Sequence, residues 1–299
     1  MRRIAVLLAA VLAAAVAAGT TRSASASGGL QVVAAENFWG SIASQLGGDR
    51  VHVTSIIVNP ATDPHDYEPT AVDARTLAGA NLVIVNGIGY DPWAPKLLAA
   101  NPVGGRVVIT VGDVVGIKPG GNPHRWYSPA NVQQMISAIA ADYKRLDPKD
   151  ATYFERQRRT FETKGLGAYK AEIATIRKRY AGVAVGASES IFAPLAQALG
   201  LKLLTPASFL KAISEGTEPT AKDVSTIDAQ IAHKQIKAWV FNSQNSTPDV
   251  QRLTDAARAT GIPVTTITET LAPATASFES WQVAQLRALQ AALARATGR

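Results

Sequence analysis

Short apolar runs alternate with amphipathic stretches along most of the chain, and this alternation predicts its secondary structure. Short runs rich in β-branched residues are typical of buried strands, whereas apolar positions three or four apart are typical of helices. The predicted strands are 30–35, 52–58, 80–86, 106–111, 183–187, 202–205, 237–241 and 263–267. Helical patterns include 39–46, 71–77, 221–233 and 249–259. Continuous apolar strands that alternate with helices predict parallel sheets covered by helices on both faces.

A long charged helical stretch at residues 147–180 contains no strand pattern and divides the predicted strands into two halves. Gly165 and Gly167 interrupt this stretch, and each costs up to about 1 kcal/mol of helix propensity, so the helix can break there. We predict an α/β fold of two lobes, residues 27–146 and 181–299, each with a parallel sheet flanked by helices. One long connecting helix at 147–180 is expected to join them.

An internal repeat is consistent with two related halves. Glu68-Pro69-Thr70 with Asp73 recurs as Glu218-Pro219-Thr220 with Asp223, and each copy precedes a predicted helix. Threonine followed three residues later by an acidic residue is also a common helix start. The repeat therefore fits either a duplication or two independent helix starts.

The first residues have the pattern of an export signal. Arg2 and Arg3 precede an apolar run at 4–18, and Ala24-Ser25-Ala26 resembles a cleavage site. The run is too short for a typical membrane span. We therefore predict a cleaved signal peptide at residues 1–26 and a periplasmic or secreted protein. The chain has no cysteine, which argues against disulfides, thiolate metal sites and a cysteine-linked lipid, so we expect no lipoprotein.

The positive charge of the chain does not indicate a nucleic-acid partner. The formal net charge is +7. Three of the arginines lie in the predicted signal peptide, which leaves about +4 for the rest of the chain. The remaining basic residues concentrate at 156–179, where acidic residues are interleaved and aromatic residues are few. This composition is typical of a solvated helix face.

Two histidines and two glutamates follow predicted strands. His65 lies in a proline-flanked loop after the second strand, and His124 follows the fourth strand after a glycine-rich loop. Glu189 and Glu269 each come two residues after a strand of the second half. Because ligands of open parallel sheets bind beyond the carboxyl ends of the strands, we expect these four side chains around one cleft between the lobes.

Each of these residues alone has a simpler explanation, since a loop histidine is often a surface residue and a glutamate after a strand often caps a helix. Together, two imidazoles and two carboxylates suit a first-row divalent cation such as Mn²⁺ or Zn²⁺. His52 and His233 do not follow strands, and we expect them to be structural or exposed. The candidates for fixing the imidazole tautomers are Asp66, Glu68, Asn122 and Arg125.

Several motifs together resemble the metal-binding solute-receptor family of ABC importers over nearly the whole predicted mature chain. They are Gly47-Gly48-Asp49, Asp63-Pro64-His65 with Tyr67-Glu68-Pro69-Thr70, Asn86-Gly87, Asn122-Pro123-His124 with Trp126, Glu218-Pro219-Thr220 and Thr268-Glu269-Thr270-Leu271. The resemblance implies two α/β lobes, one long backbone helix and a metal ion held between the lobes. It also implies capture of zinc or manganese, without catalysis, for delivery to the membrane permease of an importer. We expect a monomer.

The resemblance also implies the ligands. His65 and His124 match the two histidine positions of the family, and Glu189 matches a third position that is histidine in zinc-type members and glutamate in many manganese-type members. Glu269 stands where the family usually has aspartate, so it could bind the metal directly, bind through water or only balance charge.

The sequence does not decide between the two metals or exclude other functions. Glu189 and the short loop 112–122, which lacks histidine, favour manganese by resemblance, whereas the Irving–Williams order favours zinc at any such site. The alternatives are a secreted metal-dependent hydrolase and a receptor for a small organic or anionic solute. A hydrolase would need an open coordination position and a general base. A solute receptor could use Trp39, Trp93 and Trp126 as anchors.

Overall fold

The computed structural model describes residues 29–299, so the predicted signal peptide at 1–26 lies outside the described residues. The strands are β1 Leu30–Glu36, β2 Val51–Ile57, β3 Leu82–Val85, β4 Val107–Thr110, β5 Ala184–Ala187, β6 Lys202–Leu203, β7 Trp239–Asn242 and β8 Val264–Ile267. The helices are α1 Asn37–Gly47, α2 Ala71–Ala78, α3 Trp93–Ala100, α4 Val111–Val115, α5 Pro129–Leu146, α6 Ala151–Thr160, α7 Gly167–Tyr180, α8 Ala193–Leu199, α9 Ala207–Ser214, α10 Ala221–Ala232, α11 Pro248–Ala259 and α12 Phe278–Thr297. In the described part of the chain, no helix is long and apolar enough to span a membrane.

The strands form two parallel four-stranded sheets, which confirms the predicted fold class. Their orders are β2-β1-β3-β4 in the first lobe and β6-β5-β7-β8 in the second. Each lobe thus has the same strand arrangement, and helices cover both faces of the sheet. The strands β3 and β7 lie inside their sheets and are buried at every residue, as expected for continuous apolar runs.

The strand β6 is shorter than the sequence predicts, because the side chain of Thr205, and not its backbone, accepts the next hydrogen bond from β5. The backbone N–H of Leu204 still donates to the carbonyl of Val185, at 2.9 Å. One residue later, the hydroxyl of Thr205 accepts the backbone N–H of Ala187, also at 2.9 Å. Pro206 then ends the extended segment, since it has no N–H to donate.

The two repeated Thr-x-x-Asp motifs both start helices. At α2, Thr70 and Asp73 form a reciprocal capping box: the hydroxyl accepts the N–H of Asp73 and the carboxylate accepts the N–H of Thr70. At α10, the hydroxyl of Thr220 accepts the N–H of Asp223. The first cap ends the loop that carries His65, and so helps to fix its position.

The segment between the lobes consists of two helices joined by a wide turn. After a 3₁₀ turn at Pro148–Asp150, α6 runs into a π turn at Phe161–Gly165 and α7 follows. A Cβ atom at Gly165 would lie 2.7 Å from the ring of Phe161, so the turn needs a glycine there. The glycines predict a break at this point, and the structure has a π turn there, in which the helix widens.

A second helix also connects the lobes. The C-terminal helix α12 packs against α7 and β8. It also contacts α1 of the first lobe, where the hydroxyl of Ser41 accepts the N–H of Phe278 at 2.9 Å and Gln45 donates to Glu279 at 2.9 Å. One continuous apolar core includes residues of both lobes. The cleft between the sheets is thus bounded by two helical connections.

Candidate metal centre

Three of the four predicted ligands lie together at the strand ends. His124 precedes a 3₁₀ turn at Arg125–Tyr127, Glu189 follows β5 and Glu269 follows β8. All three side chains are buried, and one ligand atom of each lies within 4.8 Å of the others. The Nε2 atom of His124 is 3.5 Å from Oε1 of Glu189 and 3.4 Å from Oε2 of Glu269.

His65 lies at the border of this group, beside an open cleft of about 710 Å³ between the lobes. Its ring centroid is 6.3 Å from that of His124, and it does not belong to the group of three atoms within 4.8 Å of one another. Its backbone N–H donates to Oδ1 of Asp63 at 2.9 Å, which fixes the loop. The structure thus places His65 near His124 but outside the group that His124 forms with the two glutamates.

Several buried atoms of this centre have no hydrogen-bond partner. They are Nε2 of His65, Nε2 of His124 and Oε1 of Glu189. Buried polar atoms in folded proteins are nearly always satisfied, so three unpartnered atoms in and beside one cluster call for an explanation. Imidazole nitrogens and carboxylate oxygens are ligands of Zn²⁺ and Mn²⁺, and the cluster is able to hold such an ion.

Burial controls the protonation of the centre. Desolvation, together with the neighbouring charge of Glu269, raises the pKa of Glu189 to about 8. Desolvation also raises the pKa of Glu269 to about 7, against the opposing effect of His65. Burial lowers the pKa of His124 to about 4 and also lowers the pKa of His65. Near neutral pH, both imidazoles are therefore neutral, as metal ligation requires, while the carboxyls hold protons that a metal ion would displace.

Of the four residues that the sequence offers for fixing the imidazole tautomers, Asn122 contacts an imidazole. Its Oδ1 atom lies 3.0 Å from Nδ1 of His124 and also accepts the backbone N–H of that residue at 3.0 Å. This contact assigns the proton to Nδ1 and leaves the Nε2 lone pair directed at the glutamates. Ser190, which the sequence did not suggest, approaches the same Nδ1 at 3.3 Å. Within residues 29–299, the other three candidates form no hydrogen bond with either imidazole.

Two residues that the sequence reasoning missed hold the carboxylates. The amide of Asn242, at the end of β7, donates to Oε2 of Glu189 at 2.5 Å and to Oε1 of Glu269 at 2.7 Å. The hydroxyl of Tyr90 donates to Oε2 of Glu269 at 3.0 Å. Asn242 ends a strand at the ligand-bearing edge, so applying the strand-end rule to amides as well as to histidine and glutamate would have found it.

A buried carboxyl pair supports the loop of Tyr90. Asp91 accepts the backbone N–H groups of Asn86 and Gly87, each at 2.7 Å, and so fixes the turn after β3. Glu36, at the end of β1, is fully buried beside it. Burial and the neighbouring Asp91 raise the pKa of Glu36 well above its ordinary value, which favours the protonated form of this carboxyl.

The other two histidines are exposed and lie elsewhere, as expected. His52 is near the start of β2, at the opposite end of the strand from the site, and His233 follows the last turn of α10.

A comparison with protein families identifies the class of protein that this fold and centre define. The family model for ZnuA, described as zinc-uptake complex component A, periplasmic, matches residues 32–292. The match covers most of the chain, and the chain belongs to this family.

Individual relatives are similar over most of the chain. The metal ABC transporter substrate-binding lipoprotein FimA of Streptococcus parasanguinis is 26% identical over 88% of this chain and 88% of its own length. The manganese ABC transporter substrate-binding lipoprotein PsaA of Streptococcus pneumoniae is 25% identical over 82% of this chain and 81% of its own length. The zinc-binding lipoprotein AdcA of the same species is 24% identical over 83% of this chain and 51% of its own length.

A solved structure supports the fold. The periplasmic metal binding protein of Candidatus Liberibacter asiaticus superimposes with a TM-score of 0.72 at 23% identity, covering 88% of this chain and 99% of that one. Because the relatives include one named for manganese and one named for zinc, similarity does not select the metal.

Proposed function

We propose that this protein captures one divalent transition metal ion, zinc or manganese, outside the cytoplasm and delivers it to the membrane permease of an ABC importer. The observation that carries the proposal is the group of buried, unpartnered ligand atoms between the lobes. Membership of the zinc-uptake family and the names of the relatives support it.

The proposed ligands are His65 and His124 from the first lobe, and Glu189 and Glu269 from the second. Each would offer one atom, and Oε2 of Glu269 already lies 3.4 Å from Nε2 of His124, which favours direct binding of this residue despite its longer side chain. Because the ligands come from both lobes, the ion itself would hold the lobes together. Binding to the folded state alone would then raise the stability of the protein.

We propose capture without catalysis. Metal-dependent hydrolysis needs a coordination position open to water and substrate. Here the three clustered ligands are buried, and four ligands from the chain would leave no coordination position for water and substrate at a tetrahedral ion. The relatives are named as substrate-binding and metal-binding proteins, which agrees with this role.

We further propose that the protein is exported by residues 1–26 and works as a monomer, without a nucleic-acid partner. FimA, PsaA and AdcA are named as lipoproteins. The 299 residues of this chain include no cysteine, so a cysteine-linked lipid is not part of the proposal.

Metal analysis tests the proposal. Protein purified from its native compartment without added metal should contain about one equivalent of zinc or manganese by inductively coupled plasma mass spectrometry. The variant His65→Ala should lose the metal while remaining folded, and His52→Ala, which removes an exposed histidine far from the centre, should retain it. Wild-type protein that binds neither metal, even when metal is added, would rule out the proposed function.

A further inference from the structure

The hydrogen bonds of the two carboxylates limit how many atoms the candidate metal centre can offer. Glu189 has one oxygen bound to the amide of Asn242, and only Oε1 is without a partner. Glu269 has Oε1 bound to the same amide, and its other oxygen, Oε2, accepts from Tyr90 and faces His124. Each carboxylate therefore directs one oxygen into the centre. With the Nε2 atoms of the two histidines, the chain offers four atoms.

Asn242 is the residue that produces this restriction. Its amide has two N–H groups, and each is used on a different carboxylate. The side chain is fully buried, and its Oδ1 accepts the backbone N–H of Gln244 at 3.1 Å. Turning the amide over would break all three contacts and place Oδ1 against two carboxylates. The hydrogen-bond network thus assigns the orientation of the amide and holds it in place.

The number of available atoms matters because the two candidate metals differ in the coordination they prefer. Zinc in protein sites is commonly four-coordinate and tetrahedral, with nitrogen and single carboxylate oxygen ligands. Manganese favours six ligands that are mostly oxygen. A carboxylate that binds through both oxygens is the simplest way for this centre to add oxygen ligands. The amide of Asn242 donates to Oε2 of Glu189 and Oε1 of Glu269, and this contact holds each carboxylate with its other oxygen toward His124.

We infer that Asn242 is a specificity-determining residue, which limits Glu189 and Glu269 to one oxygen each and so makes the centre select zinc over manganese. The inference rests on the proposed function, since it concerns the ion held by the same four ligands. Selection of zinc differs from the expectation by resemblance, in which Glu189 favours manganese. The Irving–Williams order already favours zinc at any such site. Zinc preference alone would therefore not show a role for Asn242. Its role would show as a change in the ratio of zinc to manganese affinity when Asn242 is replaced.

A matched pair of variants tests this role. Asn242→Leu keeps the size and branching of the side chain and removes both N–H donors. Thr254→Val removes a buried hydroxyl that accepts from Trp239 at 2.9 Å, in the same lobe and outside the centre. Chelator competition gives the zinc and manganese dissociation constants of each protein. The ratio of zinc to manganese affinity should fall at least about tenfold in Asn242→Leu, a difference of about 1.4 kcal/mol, and should not change in Thr254→Val.

A second measurement uses the wild-type protein and does not depend on the folding of a variant. X-ray absorption of the zinc-loaded protein should show four nitrogen or oxygen neighbours, two of them imidazoles. Five or six neighbours, or an affinity ratio in folded Asn242→Leu within about twofold of the wild-type ratio, would overturn the inference while leaving metal capture intact. Wild-type protein that binds neither metal would instead refute the proposed function.

Discussion

The hydroxyl of Tyr90, in the loop after β3 of the first lobe, donates a 3.0 Å hydrogen bond to Oε2 of Glu269, which follows β8 in the second lobe. Both residues are buried. The ring of Tyr90 also lies edge-on to His65, with centroids 4.7 Å apart. One side chain therefore touches two of the proposed ligands and links the lobes at the candidate metal centre.

Replacing Tyr90 with phenylalanine should weaken both the fold and the centre. The ring stays against His65, but Oε2 of Glu269 loses its donor, so the free energy of unfolding of the metal-free protein should fall by about 1–3 kcal/mol. Metal affinity should fall about tenfold, because an outer contact that orients a ligand is lost. Tyr143→Phe is the control, since that hydroxyl is equally buried and donates to the carbonyl of Ala43 at 3.0 Å. It should lower stability and leave affinity unchanged. Equal affinities for all three proteins would contradict the role of Tyr90.

Removing the side chain of Asn122 should reduce metal affinity through His124. Asn122→Ala deletes the acceptor for Nδ1, so the imidazole loses its fixed tautomer and orientation, and affinity should fall about 10- to 100-fold. Asn122→Asp keeps an acceptor but loses the donor to the carbonyl of Ser190, now at 2.7 Å, and should bind more tightly than the alanine variant. Titration calorimetry with zinc gives all three constants. If the aspartate variant binds as weakly as the alanine variant, the bond to Ser190 is the important contact.

Metal binding should release protons from the glutamates. At pH 7, Glu189 with a pKa of about 8 is mostly protonated and Glu269 with a pKa of about 7 is half protonated. The pKa values of both histidines are lowered, so the imidazoles contribute no protons. Calorimetry in buffers with different ionisation enthalpies should therefore give between about one and two protons released per ion. Glu189→Gln should remove most of this release if it still binds metal, and a value near zero for the wild type would refute the expectation.

The buried carboxyls of Glu189 and Glu269 should make the metal-free protein less stable as pH rises above about 6.5. The unfolded glutamates titrate near 4.5, whereas the folded ones keep protons up to about 7 and 8. The folded state therefore binds more protons in this range, and stability falls with rising pH. The lowered pKa of His124 acts in the opposite direction, but only below its ordinary value of 6.5. Thermal unfolding of metal-free protein at about pH 6.5 and 8.5 should show the decrease, and Glu189→Gln with Glu269→Gln should reduce it.

Replacing Glu36 with glutamine should destabilise the protein less than replacing it with alanine. Burial and Asp91 raise the pKa of its carboxyl, which favours the protonated form, and Glu36→Gln keeps the shape and the charge of that form. Glu36→Ala leaves a cavity beside Asp91 and should destabilise the protein by about 2–4 kcal/mol, against less than about 1 kcal/mol for the glutamine. Denaturant unfolding at neutral pH measures both. A glutamine variant as unstable as the alanine variant would show that Glu36 is ionised in the folded protein.

The positions of Glu189 and Glu269 were accessible from the sequence because each lies two residues after a strand. Parallel strands place the residues after them at one edge, and the apolar runs located every strand end to within two residues. His65 and His124 lie in longer loops after their strands, whose paths the local pattern does not determine. Asn242 also ends a strand, but its contacts with the two glutamates were not accessible from the local pattern, because they join three strand ends of the second lobe that are distant in sequence. The contact of Tyr90 with Glu269 was not accessible either, because it exists only after the two lobes have packed.

The extent of β6 and the form of the connection between the lobes also depend on contacts that the local pattern does not contain. The hydroxyl of Thr205 replaces a strand hydrogen bond. The glycines at 165 and 167 marked a weak point, and the helix widens into a π turn at Phe161–Gly165, where a Cβ atom on Gly165 would clash with the ring of Phe161. Helix propensity located the irregularity but did not predict its π geometry.

The proposed function requires one ion to bind between the lobes through His65, His124, Glu189 and Glu269. The most direct test is a crystal structure of the zinc-loaded protein with anomalous differences measured on both sides of the zinc absorption edge. We expect one strong peak, within about 2.0–2.2 Å of Nε2 of both histidines and of one oxygen of each glutamate. A zinc peak at another place, or no peak between the lobes in crystals grown with excess zinc, would contradict it.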